Sequence, residues 1–197
     1  MKRAALGVFF RTPEMGRCKS RLAVALGEEK AFDVYKAMLS ATFNNLGNLR
    51  GIDVFGFYDG LKPFGLPPNP IIEFFPQQGE TLGERMHKAL KLMLGFKYYK
   101  AALIGSDIPD LPVQYIHDAF DHLDLNDLVL GPAEDGGYYL IGMKRPLGFL
   151  FDDMEWGDDR VLGETIKRAE KHNISYALLP QWHDIDDLEG LGQWKPD

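Results

Sequence analysis

The sequence predicts an α/β fold built on a mostly parallel sheet with helices on both faces, and three observations carry that expectation. Short runs rich in β-branched and aromatic residues read as buried strands. Apolar residues three and four apart between those runs read as helices. Glycines and carboxylates gather just after the strands, where the ligands of open α/β sheets bind.

The first strand is expected over residues 4–10 and runs into RTPEMGRCKSRL, residues 11–22, where Gly16 precedes Arg17, Lys19, Ser20 and Arg21. Glycine lets backbone approach a ligand closely, amides at the start of the following helix point outward, and Lys and Arg neutralise phosphate oxygens. The turn is a phosphate cradle in outline, with a solvated basic helix start as the alternative. It is not a Walker A loop, because the second glycine directly before the Lys-Ser pair is missing and the spacing is short. Cys18 has no histidine nearby in sequence and reads as a bystander rather than a nucleophile.

A helix follows over residues 28–46, with Phe32, Tyr35, Leu39 and Phe43 on one stripe. After a strand at 52–58, the four prolines of residues 61–70 make a loop. In QQGETLGERM, residues 77–86, Thr81 suits the N-cap of a helix over 82–94, with Glu84 completing a capping box. Gln78, the backbone at Gly79 and Arg85 also suit the reading of a base edge. The strand at 101–104 ends in LIGSDIPDL, residues 103–111, which sets Asp107 at a strand carboxyl end. Mg²⁺ usually takes one or two protein carboxylates plus phosphate oxygens, so Asp107 is the leading metal ligand, while Asp110 suits the cap of a helix over 113–123.

Another strand is expected at 128–130, followed by GPAEDGGYYLIG, residues 131–142. Asp-Gly there signals a hairpin turn, with a strand returning over 138–143, and Asp135, Gly136, Gly137 and Tyr138 could also face a substrate. A helix is read over 158–172. WHDIDDLEG, residues 182–190, crowds Asp184, Asp186 and Asp187, which either surround a metal or form a solvated acidic turn; local context favours the turn. Trp156 and Trp182 read as core before pocket lining.

At 197 residues with 45% hydrophobic composition, the chain is expected to form one domain over residues 1–197. Twenty-nine acidic against twenty-two basic residues give a charge of −7, which argues against a nucleic-acid partner. With no run long enough to span a bilayer and no signal-peptide cleavage pattern, a cytoplasmic location and no membrane partner are expected. Oligomeric state is not legible.

In this order the blocks FFRTPEMGRCKSRL, QQGETLGERM, IGSDIPDL, GPAEDGGYYLIG and DIDDL resemble the bacterial DUF2064 family over nearly the whole chain. These glycosyltransferase-like proteins are relatives of nucleotidyltransferases that make molybdopterin dinucleotides and 2-phospholactate guanylyl adducts. The resemblance implies a GT-A-like nucleotide-diphospho-sugar transferase fold, with the turn of Gly16, Arg17, Lys19, Ser20 and Arg21 on nucleotide phosphates. It further implies Mg²⁺ or Mn²⁺ on Asp107 and Asp186. Related enzymes carry Thr where this chain has Asp187, which keeps Asp184 open as the alternative second ligand. Gln78, Gly79 and Arg85 look like a base-reading segment, and Asp135, Gly136, Gly137 and Tyr138 like an acceptor wall.

The implied reaction is nucleotidyl transfer from an NTP to a phosphorylated or acidic acceptor, with Lys19 and Arg21 catalytic. Glycosyl transfer from an NDP-sugar is the alternative. It is disfavoured because Asp-Ile-Pro-Asp is one residue longer than the Asp-x-Asp of such enzymes and because three cations suit a triphosphate better than a diphosphate. A module that senses nucleotide without turnover is the second alternative.

Overall fold

The computed structural model describes residues 4–61 and 71–194, so most of the expected proline loop lies outside the described residues. The chain runs β1 (Ala4–Arg11), α1 (Ser20–Leu26), α2 (Glu28–Leu46), β2 (Ile52–Asp59), β3 (Ile71–Pro76), α3 (Leu82–Gly95) and β4 (Lys100–Gly105). It continues through α4 (Val113–Leu125), β5 (Leu128–Pro132), β6 (Tyr138–Met143), α5 (Val161–Lys171), β7 (Tyr176–Leu178) and α6 (Leu188–Gln193). The strands form one sheet in the order β3-β2-β1-β4-β6-β5-β7.

Every strand pair is parallel except those made by β6, which runs against both β4 and β5. The five residues between β5 and β6 are too few for a crossover, so the chain must turn back as a hairpin. The expected mostly parallel, mixed sheet is therefore present.

Both faces of the sheet are covered, which explains why its strands read as continuous apolar runs rather than alternating ones. On one face Leu6, Val8 and Phe10 of β1 pack with Leu39 and Phe43 of α2 and Ile116 and Phe120 of α4. On the other, Ala5 and Phe57 pack with Leu90 and Met93 of α3 and Ala169 of α5. The chain steps outward from β1 to β2 and β3, then crosses back to place β4 on the other side of β1. That reversal opens a crevice beyond the carboxyl ends of β1 and β4, the usual ligand position in open α/β sheets.

Helix ends match the sequence in one case and correct it in another. Thr81 caps α3, its Oγ1 accepting from the Glu84 amide at 3.2 Å. Asp110 does not cap α4, whose N-cap is Pro112 without a side-chain bond. Its carboxylate instead accepts from Trp182 Nε1 at 3.3 Å and lies 3.2 Å from His183 Nε2, so it ties down the chain leading to the acidic run. Among the described residues no helix is long and apolar enough to cross a membrane.

Candidate active site

A cleft of about 610 Å³ opens at that crevice, lined among others by Arg11, Arg17, Lys19, Ser20, Arg21, Tyr35, Asp59, Arg85, Asp107, Tyr138 and Asp186. Its centre is Lys19. This residue is the N-cap of α1 and holds left-handed backbone angles, φ 48° and ψ 57°. For a non-glycine residue that conformation is uncommon and persists only where surrounding contacts impose it.

The contacts are on the ammonium. Nζ lies 2.6 Å from Asp107 Oδ1, 2.7 Å from Asp186 Oδ1 and 2.7 Å from the Ile185 carbonyl oxygen, and the side chain is only 6% exposed. The ammonium donates to Asp186 Oδ1 and to the Ile185 carbonyl, and Asp107 adds a close ion pair. Burial works against the charged form, but the carboxylates of Asp107 and Asp186 outweigh it and hold the pKa above the ordinary lysine value.

The two acids reach this point from far apart in sequence. Asp107 follows the end of β4, and the Ile185 amide donates to the Asp107 carbonyl at 2.9 Å, which lays residues 182–186 alongside that strand end. The same segment is fixed to the β5–β6 hairpin by Trp182 N to Pro132 O and Glu134 N to Trp182 O. Side chains of Asp107 and Asp186 remain 41% and 48% exposed, so both carboxylates keep a face open to the cleft.

Asp187 is accounted for separately, because its Oδ1 accepts from the Gly190 amide and caps α6. Asp184 has a different environment again. Burial, then the nearby carboxylates of Asp107, Asp135 and Asp186, push its pKa up to about 7. Three hard oxygen donors gathered around one ammonium suit Mg²⁺ or Mn²⁺ in charge and chemistry. Among the described residues no set of three or more His, Cys, Asp or Glu side chains is arranged as a ready-made cage. A two-carboxylate seat that leaves the remaining positions to phosphate and water is the pattern Mg²⁺ favours.

Other residues singled out in the sequence divide between the cleft and its surroundings. Arg17, Ser20 and Arg21 are exposed along it, with Arg17 paired to Glu14 at 2.9 Å. Gly16, at φ +75°, shapes the turn without lining the cleft. Arg85 lines the cleft, donates from Nε to the Gly79 carbonyl at 3.0 Å and lies 3.5 Å from Asp59. Gln78 instead borders a neighbouring apolar cavity. Tyr138 lines the cleft and packs edge-on to Trp156, which is half-buried against the core, as is Trp182 beside Tyr115. Cys18 is buried, its Sγ bonded to the Glu14 backbone, in keeping with a bystander.

Asp135 folds over its own turn, accepting from the Gly137 amide at 2.9 Å, and Gly136 beside it packs against backbone. At φ +88°, a Cβ on Gly136 would stand 2.1 Å from the Asp159 carbonyl oxygen. Backbone cannot yield as a flexible side chain does, so Gly136→Ala is expected to lose about 2 kcal/mol of stability in urea titration. An unchanged midpoint would show that the 133–137 turn has room to move.

Arg11, Asp59 and Tyr35 are among the cleft residues that the sequence did not single out. Arg11 and Asp59 are the last residues of β1 and β2 and form an ion pair at 3.5 Å, so the strand-end rule that found Asp107 would also have found them. Tyr35 carried no such signal, since it sits on the apolar stripe of α2. Its hydroxyl donates to the Arg11 carbonyl at 2.8 Å and accepts from the Arg11 amide at 3.1 Å, and burial pushes its pKa up to about 12.

Comparison with known proteins agrees with this architecture. No curated protein matches the chain. Among solved structures, a protein of Desulfovibrio desulfuricans provisionally named a nucleotide-diphospho-sugar transferase is 31% identical. The match covers 97% of this chain and 85% of that one, with a TM-score of 0.88. CMP:2-keto-3-deoxy-manno-octonic acid synthetase complexed with CTP matches over 97% and 96% of the two chains at 10% identity and a TM-score of 0.58. Rv0371c of Mycobacterium tuberculosis in complex with manganese matches over 96% of each at 11% identity and a TM-score of 0.51. These likenesses bear out the GT-A-like fold. With its residues 37–158 matching the model of the family described as uncharacterized proteins conserved in bacteria, DUF2064, the chain belongs to that family.

Proposed function

We propose that the protein is a divalent-metal-dependent transferase that moves a nucleotidyl group from an NTP to a phosphorylated or acidic small molecule and releases pyrophosphate. One observation carries the reading: the basic turn and the acid pair meet in one cleft, with Lys19 Nζ within 2.7 Å of both Asp107 and Asp186. Had they lain on opposite faces, they could not serve one polyphosphate. The 31%-identical relative's provisional name and the CTP complex of a more distant one support a nucleotide as ligand.

Asp107 and Asp186 would hold Mg²⁺ or Mn²⁺, which when bound supplies positive charge to phosphate oxygens. Arg17, Arg21 and Lys19 lie along the cleft as partners for the remaining oxygens, while Arg11 and Arg85 bring two more cations beside Asp59. An acceptor oxygen attacks the α-phosphorus, the bond to the bridging oxygen breaks, and the electron pair leaves with pyrophosphate. The acceptor is already an anion, so no side chain need remove a proton, and the cations act by holding charge that grows on the phosphates. Gln78, Gly79 and Arg85 would border the base, and Asp135 to Tyr138 the acceptor. An NTP substrate puts the reaction in the cytoplasm.

The test combines binding with turnover. With Mg²⁺ and one NTP at 100 times its Kd, ligand adds about 2.7 kcal/mol. For a domain of this size the melting temperature should rise by roughly 5 to 10 °C. Pyrophosphate release should follow once a suitable acid acceptor is added. Response to NDP-sugars, with NDP as product, would favour glycosyl transfer instead. Stabilisation without either product would leave a sensing role, and no response to any nucleotide would defeat all three readings.

A further inference from the structure

The Lys19 ammonium is held by one carboxylate oxygen from each member of the acid pair. It lies 2.6 Å from Asp107 Oδ1 and 2.7 Å from Asp186 Oδ1, and it donates to the Ile185 carbonyl at 2.7 Å. A Mg²⁺ ion held by those two oxygens would need the position between them that the ammonium fills. Steric overlap and like charge both forbid the two cations from sharing that position. An ammonium hydrogen-bonded to Asp186 and the Ile185 carbonyl and ion-paired with Asp107 has to leave these partners to meet a phosphate.

We infer that Lys19 is the resident cation of the ligand-free site and exchanges with the divalent ion. It bridges Asp107 and Asp186 until the ion arrives, then gives up its place and turns its ammonium to the incoming phosphates. The inference rests on the reading of Asp107 and Asp186 as the metal-holding pair. Its physical basis is that two carboxylates brought this close in the fold need a positive charge between them. The chain supplies its own, at the end of a flexible four-carbon stem that begins next to the exposed Ser20 and Arg21. The exposed faces of both carboxylates give the ion a way in without unfolding the segment that carries Asp186. The exchange makes ion and nucleotide binding mutually supportive: the ion frees the lysine, and phosphates offer the freed lysine new partners.

Mn²⁺ binding to nucleotide-free protein, followed by the electron paramagnetic resonance signal of free Mn²⁺, tests this directly. Lys19→Met removes the competing charge at similar length and should bind Mn²⁺ about tenfold more tightly than the wild-type protein. Asp107→Asn should bind it more weakly than either. Equal or weaker binding by Lys19→Met would overturn the exchange, because ion and ammonium would then occupy separate positions. A second measurement needs no variant that might misfold. A buried, hydrogen-bonded lysine ammonium gives its own ¹H–¹⁵N correlation, which Mg²⁺ titration of the wild-type protein should shift or erase. A signal unmoved at millimolar Mg²⁺ would also overturn the proposal. Neither experiment contains nucleotide, so failure of nucleotidyl transfer and failure of the exchange are separately visible.

Discussion

Replacing Asp107 with Asn should lower pyrophosphate release at saturating NTP and Mg²⁺ by on the order of 10³-fold while leaving the fold in place. Asp107 is placed by the end of β4, half-exposed, and paired to Lys19 through Oδ1. Asn keeps the shape and one acceptor oxygen but removes the charge that attracts an ion, and it leaves the ammonium with a single anionic partner. The segment bearing Asp186 should stay docked, because its hydrogen bond runs from the Ile185 amide to the Asp107 main-chain carbonyl, which the substitution does not touch. The lost rate should therefore come with a nearly unchanged melting temperature of the ligand-free protein. Turnover within tenfold of wild type would remove Asp107 from the chemistry and the metal reading with it.

The second large effect concerns stability and pH. Asp184 has its folded-state pKa raised to about 7 by burial and by the carboxylates of Asp107, Asp135 and Asp186. In the unfolded chain an aspartate titrates near 3.9. Between these values the folded protein holds a proton that the unfolded chain has released, so stability falls as pH rises from about 4 to about 7 and is level above that. Asp184→Asn has no proton to lose and escapes this decline. The variant should match wild type near pH 4 and exceed it by on the order of 3 kcal/mol at pH 8, as read by urea denaturation without divalent ions. A difference that is constant across pH would show that Asp184 titrates like an exposed aspartate. Lys19 also has a raised folded-state pKa and therefore changes stability in the same direction, but its loss begins only as pH climbs above the ordinary lysine range.

Much of the scaffold was legible in the sequence because its signals are local. The stripe of α2 and the run of β6 were read with the bounds they have in the fold, and α3 is one residue longer than its periodicity suggested. Elements that escaped were short or at an edge. The six residues of β3 and the three of β7 close the two ends of the sheet, and α1 and α6 span only seven and six residues. Segments of that size have little preference of their own and take shape from what they pack against.

The site divides along the same line. Composition and strand-end chemistry sufficed to single out the turn at Gly16 and the carboxylate of Asp107, because a glycine, a cation or an acid at the end of an apolar run is a one-dimensional pattern. Asp186, taken with its neighbours, looked like a solvated turn. Only the fold sets it 2.7 Å from an ammonium 167 residues away, turns Asp110 from a helix cap into an anchor for Trp182 and His183, and buries Asp184 among like charges. Those outcomes depend on β4 crossing to the far side of β1, which puts residues 19, 107 and 186 at one crevice. Periodicity reports which way each residue faces relative to its own neighbours; it carries no information on strand order, and electrostatic partners are chosen by strand order.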